Sequence, residues 1–256
     1  MYSVFVPRDL VRWWSAVASC ASRDDARRVL TGVLVGVGWQ FHPLLGDFVG
    51  VTLTATDSYR LLSVGIPATA QTAEDFAADF VGESRPMGAR VVPEDGASHW
   101  VNIPASAVKV GASDGLRLSW YSSDLHEHVG GNYGVGVDVD VVTAKGRSIV
   151  ESIPGGVDSF PKWANLFPGG ESIGRLDPFA VNGAYLGGML SDMAKAGGLN
   201  SPARIISAED GRKPVRVDCV GDGFAAAGIV MPVRVPDERG VLGHLPGADD
   251  AAAVGS

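Results

Sequence analysis

The chain has 256 residues, of which 46% are apolar and 20% charged, so it can bury the core of one large domain or two ordinary ones. Its formal net charge of −8 excludes a uniformly basic nucleic-acid-binding protein, and any contact with DNA would need a local cationic face. The two cysteines, Cys20 and Cys219, lie in unrelated segments and indicate neither a zinc site nor a disulfide framework, which is typical of a reducing compartment.

The N-terminal stretch MYSVFVPRDLVRWW lacks the apolar core and the small-residue cleavage site of a signal peptide. The longest apolar stretch, residues 29–41, is interrupted by Thr, Gly and Gln and is too short to span a bilayer. We therefore expect a cytoplasmic protein.

Residues 1–67 carry the pattern of a strand, a helix and three further strands. Residues 3–6 predict the first strand, and Pro7 occupies the favoured first position of a helix. Arg8 and Arg12 share the polar face of that helix, opposite an apolar face, and could contact phosphates. The sequence predicts the three further strands over residues 29–37, 48–56 and 59–67.

The segment VTLTATDSYRLL, residues 51–62, alternates apolar and polar side chains. This period of two predicts a half-buried strand, with the threonines on its second face. Asp57 and Ser58 are turn formers and predict a corner between this strand and the next. Tyr59 and Arg60 follow the corner directly, at the rim of a hairpin in which no residue is catalytic.

A second unit, residues 98–168, follows a connector over residues 68–97 that is rich in Ala, Glu, Asp, Pro and Gly. Most of the second unit is strand-like, and it closes with DSFPKWANLFP. Its helix could lie only in PASAVKVGASDG, where the helical periodicity is weak. The first two units together form the predicted first domain, residues 1–168.

A third unit is predicted over residues 169–236. Asn182 caps its predicted helix, Tyr185 belongs to the apolar stripe of that helix, and Gly197 ends it. Residues 237–256 are rich in Ala, Gly and Asp and predict a flexible tail. The sequence thus predicts an α+β fold of repeated β-α-β-β-β units, spaced by roughly 65–85 residues, with helices on one face of antiparallel sheets.

Evidence for an enzyme is weak in the sequence. His126 and His128 have the spacing of a strand face without a third ligand nearby, which favours a solvated hairpin tip over a metal site. Asp138 and Asp140 share one face of a predicted strand. The neighbouring glycines indicate that this strand faces solvent, which argues against a general acid/base pair. A hydrolase using Asp138, Asp140 and His126 remains an alternative, but the main prediction is no catalytic residue, no metal and no cofactor.

Five blocks of the sequence resemble, in their order, the bacterial DNA polymerase sliding clamp, the β subunit of the replicative polymerase. The blocks are RRVLTGVLV, TLTATDSYRLL, DSFPKWANLFP, VNGAYLGGML and GIVMPVRV, and the resemblance covers residues 3–236. Clamps of that family have three domains of two units each and close as a dimer around DNA. The resemblance relates this chain to the middle domain followed by the final half of the third, and its reduced size is compatible with a phage-encoded version.

The resemblance implies the DNA-clamp fold and a processivity factor that docks DNA polymerase and other proteins with clamp-binding peptides. It also implies non-specific binding of double-stranded DNA and a homo-oligomer. The family's partner peptides insert into a pocket, which the resemblance places here at Leu30, Thr56, Ser58, Tyr59, Arg60, Leu61, Pro161, Asn165, Leu166, Asn182, Tyr185, Ile229, Met231, Pro232, Val233 and Arg234.

The residues predicted to face DNA are the cations of the helical faces: Arg8, Arg12 and Lys195. In an alternative function, the chain keeps the peptide pocket but does not form a ring around DNA. In that case the chain would be a clamp remnant that acts as an adaptor or decoy for clamp-binding proteins.

Overall fold

The computed structural model describes residues 2–6, 11–68, 98–109, 116–120, 138–143, 146–153, 159–167, 180–198, 202–206 and 213–233. The strands within these ranges are β1 (Tyr2–Val6), β2 (Gly32–His42), β3 (Gly46–Thr56), β4 (Arg60–Pro67), β5 (Ser98–Pro104), β6 (Leu116–Trp120), β7 (Asp138–Thr143), β8 (Gly146–Glu151), β9 (Ala203–Ile206), β10 (Val215–Gly221) and β11 (Phe224–Val230). The α-helices are α1 (Arg12–Ala18) and α2 (Gly183–Gly197), and 3₁₀ helices span Asp25–Thr31 and Trp163–Leu166. Arg8, His126, His128, Arg234, the connector beyond residue 68 and the predicted tail lie outside the described residues.

The strands form two antiparallel sheets, one in the order β1-β6-β7-β8 and the other in the order β5-β2-β3-β4-β11-β10-β9. The first strand of each of the first two predicted units pairs with the other unit. β1 joins β6, with Tyr2 opposite Trp120, and β5 joins β2, with Gly32 opposite Pro104. This exchange of first strands interlocks the two units.

The seven-stranded sheet continues from the first predicted unit into the third, because β4 pairs with β11 and Leu61 lies opposite Ile229. Helices α1 and α2 pack against each other and against this sheet. Antiparallel sheets with helices on one face confirm the predicted fold class. The predicted domain bounds, residues 1–168 and 169–236, remain a prediction.

The main core lies between the helices, the inner face of the seven-stranded sheet and the four-stranded sheet, which contributes Leu118 and Val141. Trp13 and Trp14 of α1 and Met189 and Met193 of α2 are fully buried there, and burial of each such side chain stabilises the fold by about 1.5–3 kcal/mol. A Cβ at Gly228 would overlap Met189 Sδ, so this glycine lets α2 lie close to β11.

The prediction of a half-buried strand before the Asp57–Ser58 corner was wrong, since both faces of β3 are buried along its second half. The threonine face is covered, and its hydroxyls bond other side chains. Thr52 Oγ1 donates to Gln40 Oε1 at 3.0 Å, and the hydroxyls of Thr54 and Ser63 are 2.9 Å apart. Alternating polarity predicted the direction of each side chain correctly but could not predict a second covering layer.

Three features differ from the sequence-based predictions. Helix α1 begins at Arg12, although the sequence predicted its start at Pro7. Residues 29–31, predicted as the start of a strand, complete the first 3₁₀ helix, and β2 begins at Gly32. The described part of PASAVKVGASDG, residues 104–109, forms the end of β5 and a turn. Among the described helices, none is both long and apolar enough to cross a membrane.

Candidate functional site

The corner between β3 and β4 is a tightly hydrogen-bonded turn. Asp57 Oδ1 accepts the backbone N–H groups of Tyr59 at 2.9 Å and Arg60 at 3.0 Å. Thr56 Oγ1 donates to the Arg60 carbonyl at 2.8 Å and accepts the Ser58 N–H at 3.1 Å. Ser58 has a φ of 78°, the left-handed conformation that closes the turn. As a result Tyr59 projects at the rim, with 54% of its surface exposed.

Arg60 connects this turn to both helices. Its Nε lies 3.1 Å from Asp57 Oδ2, and its Nη2 donates to the Ser19 carbonyl just after α1 at 2.6 Å. The guanidinium carbon lies 5.2 Å from the ring centroid of Tyr185 in α2, a cation–π contact. Arg60 therefore fixes the rim relative to α1 and α2.

Cys20 lies beside this connection and is fully buried. Burial raises the pKa of its thiol to about 11, and the positive charge of Arg60 lowers it by a smaller amount. The sulfur stays protonated at neutral pH, so Cys20 fills the core and does not supply a nucleophile.

The segment after β11 runs beside the same turn. The Met231 N–H donates to the Tyr59 carbonyl and the Val233 N–H to the Ala180 carbonyl, both at 2.8 Å. Val181 and Pro232 form an isolated antiparallel bridge. Met231, with 38% of its surface exposed, is thus held between the β3–β4 turn and the start of α2.

Asn182 caps α2 as the sequence predicts. Its Oδ1 accepts the N–H groups of Ala184 at 2.9 Å and Tyr185 at 3.4 Å. Gly198, with a φ of 85°, follows the last helical residue, Gly197. The carboxamide oxygen of Asn182 is therefore used within the helix, although the residue was predicted to line the pocket.

Residues 159–167 cover the outer face of the seven-stranded sheet, on the side away from the helices. They are attached there by a small group of buried side chains, here called the outer cluster: Leu34, Leu61, Phe160, Trp163 and Ile229. The predicted pocket residues Leu61 and Ile229 belong to this cluster. Pro161, Asn165 and Leu166 stand exposed on the segment that the cluster holds.

A cavity of about 340 Å³ opens between this segment and the sheet. Leu34, Phe160 and Trp163 form its buried floor and Trp100 one wall. Its rim carries Phe41, Pro161, Lys162 and Asn165. The sequence did not predict this cavity, since a non-periodic segment such as DSFPKWANLFP gives no sign of which strand its aromatic residues cover. The aromatic residues between two prolines were the only signal that the segment packs on a core.

The predicted pocket residues thus fall into three neighbouring groups and two exceptions. The first group, Thr56, Ser58, Tyr59 and Arg60, forms the turn. The second lies beside the turn and consists of Met231, Pro232 and Val233 after β11 with Asn182 and Tyr185 at the start of α2. In the third, Leu61 and Ile229 pack with the segment that carries Pro161, Asn165 and Leu166. Leu30 is buried in the first 3₁₀ helix, where its carbonyl accepts the Ser22 N–H at 2.8 Å. Arg234 lies outside the described residues.

Two of the three residues predicted to face DNA, Arg12 and Lys195, lie on the two helices that pack together. Arg12 is exposed on α1. Lys195 is exposed on α2, and its Nζ lies 3.6 Å from Asp192 Oδ1. An exposed pair of this kind contributes little energy, so the ammonium can exchange its carboxylate for a phosphate.

Of the residues of the alternative hydrolase site, Asp140 has another partner and His126 lies outside the described residues. Asp140 Oδ1 accepts Arg147 Nε at 2.8 Å across the β7–β8 hairpin, and Asp138 is exposed on the same strand. Among the described residues, no three His, Cys, Asp or Glu side chains are grouped as a metal site would require.

No protein-family model matches the chain, and no curated protein sequence matches it. Solved structures do match. The DNA polymerase sliding clamp of Pseudomonas aeruginosa has a TM-score of 0.57 and 13% sequence identity, covering 91% of this chain and 66% of that one. The H. pylori β clamp has a TM-score of 0.52 and 11% identity, with the same two coverages.

The DNA polymerase III β subunit of Thermotoga maritima also matches, with a TM-score of 0.50 and 12% identity over 91% of this chain and 66% of that one. This chain therefore spans about two thirds of the length of the solved clamps that it matches. At such low identity the likeness concerns the fold. The chain has the fold of the bacterial DNA polymerase sliding clamps.

Proposed function

We propose that this protein is a sliding-clamp-like processivity factor, which tethers DNA polymerase or another replication protein to DNA and performs no chemistry of its own. The observation that carries the proposal is the clamp fold combined with an exposed apolar surface on the elements around the β3–β4 turn. We call this surface the docking surface and define it by Tyr59, Leu166, Met231 and Val233.

The docking surface has the properties of a site for a short apolar peptide. Among the described residues nine large apolar side chains are exposed, and these four are nearly half of them. Tyr59, Met231 and Val233 lie on adjoining backbone segments, and exposed apolar side chains grouped in this way are typical of an interaction site. Hydrogen bonds fix the backbones of Tyr59, Met231 and Val233, so little order has to be gained on binding. Met231 adds a flexible side chain that adapts to different apolar ligands.

DNA would contact the helical side of the molecule. Arg12 on α1 and Lys195 on α2 are exposed cations on two helices that pack together. Contacts of this kind neutralise phosphates without reading bases, which suits a protein that has to move along the duplex.

A homo-oligomer would come from the edges of the described sheets. β8 ends the four-stranded sheet and exposes Ile149, and β9 ends the seven-stranded sheet and exposes Ile205. Strand edges with exposed apolar side chains tend to pair with another chain. Pairing β8 of one copy with β9 of the next is a head-to-tail contact, which generates a ring if the rotation closes.

The coverage of 66% of the solved clamps favours a second candidate, a clamp remnant that binds the same partners without forming a ring. Such a protein would act as an adaptor or decoy. It would share the docking surface with the first candidate, and its solution mass would be that of one chain.

The experiment selects binders from a library of random peptides displayed on phage, with the wild-type chain and with Met231→Ala. We expect the wild type to enrich peptides that share a short apolar motif, and Met231→Ala to bind them about tenfold more weakly. Val220→Ala is the matched control, since Val220 is an exposed apolar residue of β10 outside the docking surface. Equal binding by all three proteins would overturn the proposed docking surface.

A further inference from the structure

The cavity beside residues 159–167 has the shape and lining of a subsite for one aromatic side chain. Its volume of about 340 Å³ is at the lower end of the range of about 300–1,000 Å³ for ligand pockets, so it suits a single side chain. Phe41, Trp100, Phe160 and Trp163 contribute ring faces and edges, which bind another aromatic ring in offset or edge-on geometry.

Charge further restricts the ligand. Lys162 is the one charged side chain among the described residues that line the cavity, and it is exposed at the rim. An exposed ammonium contributes selectivity more than affinity, and it selects against a second cation. The favoured aromatic residue is therefore one that has a carboxylate beside it.

The cavity shares two lining residues with the predicted peptide pocket. Pro161 and Asn165 line the cavity and also belong to the pocket residues. The outer cluster supplies the floor of the cavity through Leu34 and Trp163, and it includes the pocket residues Leu61 and Ile229. Leu166 of the docking surface directly follows Asn165, which lines the cavity, so a partner segment on the docking surface needs only a few further residues, at about 3.3 Å each, to reach the cavity.

We infer that the cavity is a second anchor point for the same partner segment and takes an aromatic residue flanked by Asp or Glu. The inference rests on the proposed function, because it places the occupant on a segment that the docking surface already holds. It goes beyond the proposed function because it assigns an aromatic ligand to the cavity and gives Lys162 the role of selecting an acidic neighbour.

The test uses the full chain and the same random peptide library, with Lys162→Glu as the variant. The wild type is expected to enrich peptides with an aromatic residue next to Asp or Glu at a fixed distance from the apolar motif. Lys162→Glu should retain the apolar motif, lose the acidic preference and bind the wild-type winners about fivefold more weakly at low salt. Lys213→Glu is the matched control, since Lys213 is exposed just before β10 and does not line the cavity.

A second variant, Trp100→Ala, removes one wall of the cavity. It should lose the selection for an aromatic residue and keep the apolar motif, with the fold checked by circular dichroism. Identical peptide sets from the wild type and Lys162→Glu would overturn the inference. The inference would also be overturned if the chain formed a dimer and Lys162→Glu dissociated it, because a second copy of the chain would then occupy the cavity.

These failures can be told apart from a failure of the proposed function. If Met231→Ala abolishes binding while Lys162→Glu changes nothing, the docking surface stands and the second anchor point is wrong. If Met231→Ala changes nothing, the docking surface is wrong, and the inference fails with it.

Discussion

Tyr59 and Tyr185 stack with their ring centroids 6.0 Å apart and an interplanar angle of 25°, although they belong to the first and the third predicted units. Arg60 lies over the Tyr185 ring and is ion-paired with Asp57. The rim of the docking surface is therefore built jointly by two units that are distant in the sequence. The contact of Tyr59 and Arg60 with Tyr185 therefore both holds the two units together and shapes the docking surface.

Arg60→Ala should destabilise the protein by about 2–3 kcal/mol, since it removes charge-assisted hydrogen bonds to Asp57 and to the Ser19 carbonyl. The free energy of unfolding in urea measures this loss. The control is Lys195→Ala, whose ion pair with Asp192 has an exposed ammonium and should cost at most about 1 kcal/mol. Equal losses for the two variants would show that Arg60 does not connect the units.

Ser58→Gly should stabilise the protein by about 1 kcal/mol, because Ser58 adopts a φ of 78° that glycine reaches without steric cost. Ser58 Oγ also accepts Arg27 Nη1 at 3.1 Å, so part of the gain is offset by the loss of this exposed hydrogen bond. Ser58→Ala separates the two effects, since it loses the hydroxyl and keeps the strain. A midpoint of thermal unfolding for Ser58→Gly below that of Ser58→Ala would contradict the account.

His42 should make the protein less stable in mild acid. The ring is fully buried, with Nε2 3.2 Å from the Ser63 carbonyl and Nδ1 accepting the Leu44 N–H, and burial lowers its pKa to about 4 from 6.5. The unfolded chain then binds a proton that the folded chain does not between pH 6.5 and 4. The contribution of the neutral His42 ring to the free energy of unfolding is complete above pH 6.5 and falls by about 3 kcal/mol as the pH drops to 4.

The measurement for His42 is the free energy of unfolding of the wild type and of His42→Gln at pH 7 and pH 4.5. Glutamine keeps an amide for hydrogen bonding and does not titrate. We expect the wild type to lose more stability than the variant over this interval, and parallel losses would show that folding does not lower the pKa of His42.

The docking surface predicts that partner peptides bind with little change in the fold. Met231→Ala removes an exposed side chain, so the free energy of unfolding should change by less than about 1 kcal/mol while peptide affinity falls. Isothermal titration with the peptides selected by the wild type measures the affinity. A loss of affinity matched by an equal loss of folded protein would assign Met231 a structural role only.

Local signals in the sequence predicted the local features correctly. Asn182 and Gly197 bound α2 as expected, because caps and helix stops depend on neighbouring backbone groups. The Asp57–Ser58 corner also forms where the turn residues lie. These features need no knowledge of distant strands.

The features that depend on distant pairing could not be predicted in this way. Thr52 and Thr54 have the polarity of an exposed face, yet partners from β2 and β4 bury them. Trp163 lies in a non-periodic segment, and only the outer cluster reveals that it covers the sheet. The exchange of β1 and β5 between units likewise depends on which sheet edge lies nearest in space, and the sequence does not show this.

The solution mass of the full chain, measured by light scattering over a range of protein concentrations, tests the proposed clamp most directly. The account predicts a stable oligomer with a mass that is a whole multiple of 26.6 kDa, and Ile149→Lys and Ile205→Lys at the two sheet edges should each dissociate it. A strict monomer at every concentration would contradict the ring and leave the adaptor or decoy as the function.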